Sequence, residues 1–130
     1  MQNSNKVQHS DRSVAFRRVL GATSLTKDSV RNRNGDDLGS IKEIMIDLPN
    51  GRVAYAVLSF GGFLGIGNKL FAIPWEMLTV DEDRQCLVLD VSKKTLENAP
   101  GFDKDQWPDM SDPAWGTQVY AYYGRKPYWN

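Results

Sequence analysis

Few side chains in this 130-residue sequence could carry out chemistry. It holds one histidine, His9, and one cysteine, Cys86. A lone histidine rules out a His-based metal cluster within one chain, and a hydrolase triad would have to recruit it from the N-terminal tail. Cys86 can form no intramolecular disulfide, and it sits in a strand pattern where a cysteine acts as a small apolar residue. Gly62 and Gly67 have the spacing that opens a phosphate-binding loop. That motif then needs Lys and Ser or Thr, but Asn68 and Lys69 follow. A strand is expected next, so no helix N-terminus would face the anion. Asp103, Asp105, Asp109 and Asp112 surround Trp107. Counted from Asp103, the glycine and glutamate of a calcium loop would fall on Pro108 and Ala114, so that pattern fails. These readings assign no catalytic residue, no cofactor-binding residue and no metal ligand, and the chain is expected not to be an enzyme.

The remaining candidates are apolar. Eight of the fourteen aromatic residues lie in the last thirty positions: Phe102, Trp107, Trp115, Tyr120, Tyr122, Tyr123, Tyr128 and Trp129. An aromatic side chain buries about 150–250 Å², so this segment must dock on the rest of the fold, on a second copy or on another partner. Asp112-Pro113 is an N-cap and first-turn pair, and Gly124 is a helix stop. Between them Trp115, Val119, Tyr122 and Tyr123 fall on one helical face. Gly116 costs such a helix about 1 kcal/mol relative to alanine, so packing must hold it. Trp107, Trp115, Val119, Tyr122, Tyr123 and Trp129 are the candidate protein-contact residues. An RNA-stacking platform would need interleaved positive charge. Only Arg125 and Lys126 accompany the last aromatics.

Composition puts general nucleic-acid recognition at a disadvantage. Lys plus Arg and Asp plus Glu are 16 each, giving a formal net charge of zero, whereas nucleic-acid binders carry a basic excess. Hydrophobic residues make up 41% and charged residues 25%, which suits a globular domain with its own core. The first residues hold no signal-peptide apolar run, and no stretch is long and apolar enough for a membrane span. A soluble, cytoplasmic protein is the default expectation.

The elements that position these residues are mostly strands. Residues 1–15 offer little to bury and are expected to form a flexible tail. Leu20-Gly21-Ala22 and Leu25 suggest an entering strand and turn. Asn34-Gly35 signals a tight hairpin. Ser40 to Leu48 suggests a strand with a bulge, and Pro49-Asn50-Gly51 a second turn. Arg52 to Phe60 is apolar on both alternating faces, Val53, Tyr55 and Val57 on one and Ala54, Ala56, Leu58 and Phe60 on the other. It should be buried centrally in the sheet. Residues 61–67 form a glycine-rich connection, whose Phe63, Leu64 and Ile66 are expected to cover an open barrel end. Leu70 to Ile73 is a short strand, followed by a helical turn with Pro74 in its first position. Thr79-Val80 and Cys86 to Val91 form a hairpin, and Ser92 caps a short helix through Ala99.

Asn34-Gly35-Asp36-Asp37-Leu38-Gly39-Ser40-Ile41, then Asp47 and Gly51-Arg52-Val53-Ala54-Tyr55-Ala56-Val57-Leu58, resemble the PRC-barrel family. Residues 61–69 and Ile73-Pro74-Trp75-Glu76-Met77-Leu78 continue the resemblance in order, over roughly residues 18 to 92. The family takes its name from the cytoplasmic domain of the photosynthetic reaction-centre H subunit. A related barrel occurs in a ribosome maturation factor. The resemblance implies a binding or assembly module without catalytic residues. The membrane helix of the first and the additional N-terminal domain of the second are not seen in this sequence, which looks like the stand-alone bacterial branch.

The expected fold is mainly β, a small antiparallel PRC-type β-barrel with short helical turns and a C-terminal aromatic helical arm. The expected organisation is a tail at 1–15, a barrel domain at 16–100 and an aromatic extension at 101–130. The expected function is a non-enzymatic protein-binding or assembly adapter that self-associates as a homo-oligomer. The alternatives are an adapter in ribosome maturation or RNA processing, and a cytoplasmic cap on a membrane electron-transfer complex. A protein partner, a second copy or both are implied. Direct contact with nucleic acid is not expected, and peripheral association with a membrane complex stays open.

Overall fold

The computed structural model describes residues 19–61 and 68–130. The expected tail at 1–15 and the interior of the glycine-rich connection, with Phe63, Leu64 and Ile66, lie outside them. The elements in chain order are α1 (Ala22–Leu25), β1 (Ser29–Arg31), β2 (Asp37–Asp47), β3 (Arg52–Gly61) and β4 (Asn68–Pro74). A 3-10 turn at Trp75–Met77 leads to β5 (Leu78–Asp81) and β6 (Cys86–Leu89), then α2 (Lys93–Glu97) and α3 (Pro113–Tyr122).

The chain is mainly β, and its six strands form one mixed sheet curled into a half-barrel. The strand order is β4-β3-β2-β1-β6-β5. The two edge strands, β4 and β5, are joined only by the three-residue 3-10 turn. So short a link brings the sheet's two edges together at that end, which forces the curl. The sheet was expected to be antiparallel throughout, but β1 and β6 pair in parallel, Ser29 opposite Cys86. The long excursion through β2 to β5 returns the chain beside β1 in the same direction, and β6 then turns back antiparallel to β5.

The entering strand expected at Leu20 is instead the single helical turn α1. Val19 and Leu20 are exposed, and only Leu25 reaches the core. The first strand comes later, at Ser29. The Asn34-Gly35 signal does mark the β1–β2 hairpin, but its loop runs from Asn32 to Asp36. Buried Asn32 organises it. Its Oδ1 accepts from the Asn34 and Asp36 backbone N–H groups at 3.0 and 2.9 Å. Its Nδ2 donates to Asp36 Oδ2 at 2.9 Å and to the Val91 carbonyl at 3.1 Å. A buried amide with every strong site satisfied is no liability, and this one ties the hairpin to the end of β6. Pro74 precedes the 3-10 turn as its N-cap rather than occupying its first position. Ser92 caps α2 as expected, its Oγ accepting from Thr95 N at 3.0 Å, although the helix stops at Glu97.

Two offsets in the β2–β3 ladder set which way side chains face. Ile41 pairs with Leu58 but Glu43 with Val57, leaving Lys42 as the extra residue. Met45 pairs with Tyr55 but Ile46 with Val53, leaving Ala54 as the extra residue. An extra residue in one strand shifts the alternation of side chains. Ala54 was grouped with Ala56, Leu58 and Phe60 by simple alternation. The bulge instead puts Ala54 beside Tyr55, in a second cluster with Ala72, Val119 and Tyr120. Ala56, Leu58 and Phe60 join Val30, Leu38, Phe71, Ile73, Leu87, Leu89 and Leu96 in the barrel interior. Strand β3 is thus buried on both faces, one strand in from the edge.

A close backbone approach fixes β2 against β3. Gly39 has φ +120°, and a Cβ there would lie 2.0 Å from the Ser59 carbonyl oxygen. Gly51 also has positive φ but faces open space. Gly39→Ala is therefore expected to cost about 3 kcal/mol or more, and Gly51→Ala about 1 kcal/mol. Urea unfolding of the two variants checks the contrast.

Candidate functional site

The helix of the C-terminal arm is bounded by its own signals. Asp112 Oδ1 accepts from Ala114 N at 2.9 Å, with Pro113 in the first turn. At the other end Gly124 N bonds to Ala121 O at 3.0 Å and Arg125 N to Tyr120 O at 2.9 Å. That pair of bonds is a Schellman stop. The chain then turns back and lays Tyr128 and Trp129 beside the helix.

The inward face of α3 is Gly116, Val119 and Tyr120, flanked by half-buried Trp115 and Tyr123. Gly116 is the closest point. A Cβ there would stand 2.6 Å from both the Trp129 ring and the Tyr55 hydroxyl. Helix propensity alone reads this glycine as a weakness, but the packing requires it. Around it the rings meet edge to face: Tyr55 with Trp115 at 5.3 Å, Tyr120 with Trp129 at 5.3 Å and Tyr128 with Trp129 at 5.1 Å between centroids.

A polar seam borders these rings. The Tyr128 hydroxyl donates a short hydrogen bond to Asp47 Oδ2. The Arg52 guanidinium lies 3.6 Å from the Tyr128 ring centroid and 3.4 Å from Glu76 Oε1. The Tyr120 hydroxyl donates to the same Glu76 oxygen at 3.2 Å. Hydrogen bonds from Tyr128 and Asn50, with Arg52 nearby, hold the Asp47 carboxyl below its ordinary range. Burial and the bond to Asp47 push Tyr128 up to about 12. Burial also raises Tyr55, Tyr120 and Tyr123, with Glu76 adding to the effect at Tyr120. The Tyr55 and Tyr123 hydroxyls are buried without a hydrogen-bond partner.

Between the arm and the β2–β3 turn lies a cleft of about 450 Å³. Met45, Ala54, Tyr55, Met110 and Trp129 line it as apolar walls. Ile46, Asp47 and Leu48 contribute on the barrel side, and Ser111, Asp112 and Pro113 on the arm side. Ile46 is 52% and Leu48 82% exposed. The bulge at Ala54 builds this cleft, since it turns Ala54 and Tyr55 toward the same side.

Of the six sequence-derived contact residues, only Trp129 lines the cleft. Val119 is buried against the sheet, and Trp115, Tyr123 and Trp129 pack in the same cluster. Trp107 is 40% exposed, its ring 5.2 Å from Phe102 and its Nε1 donating to Lys104 O at 2.8 Å. Tyr122 is 38% exposed and donates to the Thr95 carbonyl at 2.5 Å. The helical face was drawn about one residue off. Tyr120, fully buried, lies nearer its centre than Tyr122. Sequence reasoning also passed over Asp47, Ile46 and Leu48. The available signal was a large apolar residue, Leu48, standing directly before a Pro-Asn-Gly turn.

Three of the acidic residues near Trp107 have structural partners: Asp109 Oδ1 accepts from Ser111 N, Asp112 caps α3, and Asp105 pairs with Lys104. Among the described residues no three His, Cys, Asp or Glu side chains converge to hold a metal ion, and no helix is long and apolar enough to cross a membrane. A family model, the PRC-barrel domain, matches residues 18–96. That span takes in the barrel through most of α2 and stops before the arm. No curated protein matches the chain.

Two predictions follow from the seam and the helix contact. Gly116→Ala would stabilise a free helix by about 1 kcal/mol; here it is expected to destabilise the fold by about 1–3 kcal/mol, read from urea midpoints. The arm is expected to loosen at both pH extremes. Asp47 has a lowered folded pKa, so its contribution is present above the ordinary 3.8 and is lost as pH falls through the folded value. Tyr128 has a raised one, so its contribution is present below 10.0 and is lost as pH rises toward about 12. Tryptophan fluorescence should report the acid step and phenolate absorbance the alkaline one, and Tyr128→Phe should weaken both.

Proposed function

Since the chain belongs to the PRC-barrel family, we propose that it works as a non-enzymatic protein-binding module whose arm is a fixed wall of the binding surface. The observation that carries this reading is the pair Ile46 and Leu48, exposed at the mouth of a preformed apolar cleft. Large aliphatic side chains grouped at a concave surface characterise interaction sites more than solvated turns. The arm's own apolar residues are used differently. Trp115, Val119 and Tyr123 pack against the barrel of the same chain, so they serve binding indirectly, by holding Trp129 and Met110 in place.

In the cytoplasm, the proposal covers homo-oligomerisation, service in ribosome maturation and service on a membrane electron-transfer complex. Each would use one surface for one protein partner. The test is recovery of the tagged full chain from gently solubilised native cells, with stoichiometric companions identified by mass spectrometry and rebinding checked with purified components. The expected result is one stoichiometric protein companion that rebinds. A chain recovered alone, and monomeric by light scattering at high concentration, would overturn the reading.

A further inference from the structure

We propose that the cleft between the β2–β3 turn and the arm takes a short segment of a partner protein with one apolar side chain flanked by lysine or arginine. This rests on the protein-binding reading and names the chemistry of the partner.

The apolar half of the argument is the cleft's composition. Its volume of about 450 Å³ lies within the range of ligand sites, about 300–1,000 Å³. Met45 lines it from the barrel and Met110 from the arm. Methionine walls are soft and adaptable, which suits a side chain rather than a rigid small molecule. Leu48 lines the cleft at its mouth and is 82% exposed, so an inserted group would let it shed its own contact with water.

The basic half is the charge at the rim. Asp47 stands on the barrel side and Asp112 on the arm side, and no lysine or arginine lines the cleft. Asp47 is held ionised. Its oxygens accept from Tyr128 and from the Asn50 backbone and side chain, three bonds where a carboxylate can take about four. Asp112 uses Oδ1 to cap α3 and is exposed. The nearby cation, Arg52, is engaged by Glu76 and the Tyr128 ring. A peptide with an apolar anchor between two basic residues matches this order of features, and an acidic segment would meet two like charges.

Fluorescence polarisation of the full chain with two labelled synthetic peptides tests the assignment. One has a central leucine flanked by lysines, and the other has glutamates in their place. The lysine peptide is expected to bind and the glutamate peptide not, with affinity falling as salt rises. Leu48→Asp should weaken binding by about tenfold or more, and Asp112→Asn, which keeps the helix cap, by several-fold. Both positions are exposed, so thermal midpoints should hold. Equal binding of the two peptides, no binding of either, or indifference to Leu48→Asp would overturn the proposal. A dimer seen by light scattering that Leu48→Asp dissolves would also overturn it, by making a second copy the occupant. Capture of the same native companion by wild type and Leu48→Asp alike would remove the cleft and leave the protein-binding reading standing. No companion with either, together with a monomer by light scattering at high concentration, would remove that reading itself.

Discussion

Strand β3 is apolar on both faces, and everything else in the molecule answers to that. A sheet with one apolar face needs one cover, and a strand with two needs two. The curl of the sheet closes the first face around Ala56, Leu58 and Phe60. The second face presents Tyr55, and a buried tyrosine of that size cannot be left to solvent. The aromatic arm is its cover, which is why a segment beyond the family match is still part of one folded unit.

How the arm fits is decided at a single point. Tyr55 projects far enough that α3 can approach only where it lacks a side chain, at Gly116, and Trp129 closes over the same spot. The polar groups follow from this approach. Once the rings are packed edge to face, the hydroxyls of Tyr120 and Tyr128 reach the seam, where Glu76 and Asp47 accept from them. The carboxylates therefore sit at the margin of an apolar contact, where they orient the arm without a deep desolvation cost.

The cleft is what remains between two surfaces fixed for other reasons. The Ala54 bulge brings Ala54 and Tyr55 to the arm side, and the end of β2 and the turn after it leave Ile46 and Leu48 exposed beside the arm. The arm buries most of the aromatic residues that could otherwise have served as a free interface, Trp107 and Tyr122 staying partly exposed. It also creates a concave place beside them that is apolar inside and acidic at the rim.

Much of this was legible in the residues themselves. The hairpin at Asn34-Gly35, the strand with a bulge from Ser40, the doubly apolar strand from Arg52, the Ser92 and Asp112 caps and the stop at Gly124 are all local signals, set by backbone preference and short-range hydrogen bonding. So is the family pattern they make in order. Other features depended on what packs opposite. The parallel β1–β6 pair joins segments far apart in sequence. The shift of Ala54 to the arm face depends on a bulge defined only by two strands together. Gly116 looks like a flaw in an isolated helix and becomes a necessity once Tyr55 and Trp129 lie against it. The site residues Ile46 and Leu48 carry no motif, and Asp47 belongs to the family pattern without a site role being implied, because their role comes from the arm that faces them. Sequence determined most of the strands, although not the first, together with the caps and the need to bury the aromatics. Only the tertiary structure decided against what, because burial is a relation between surfaces that are distant along the chain.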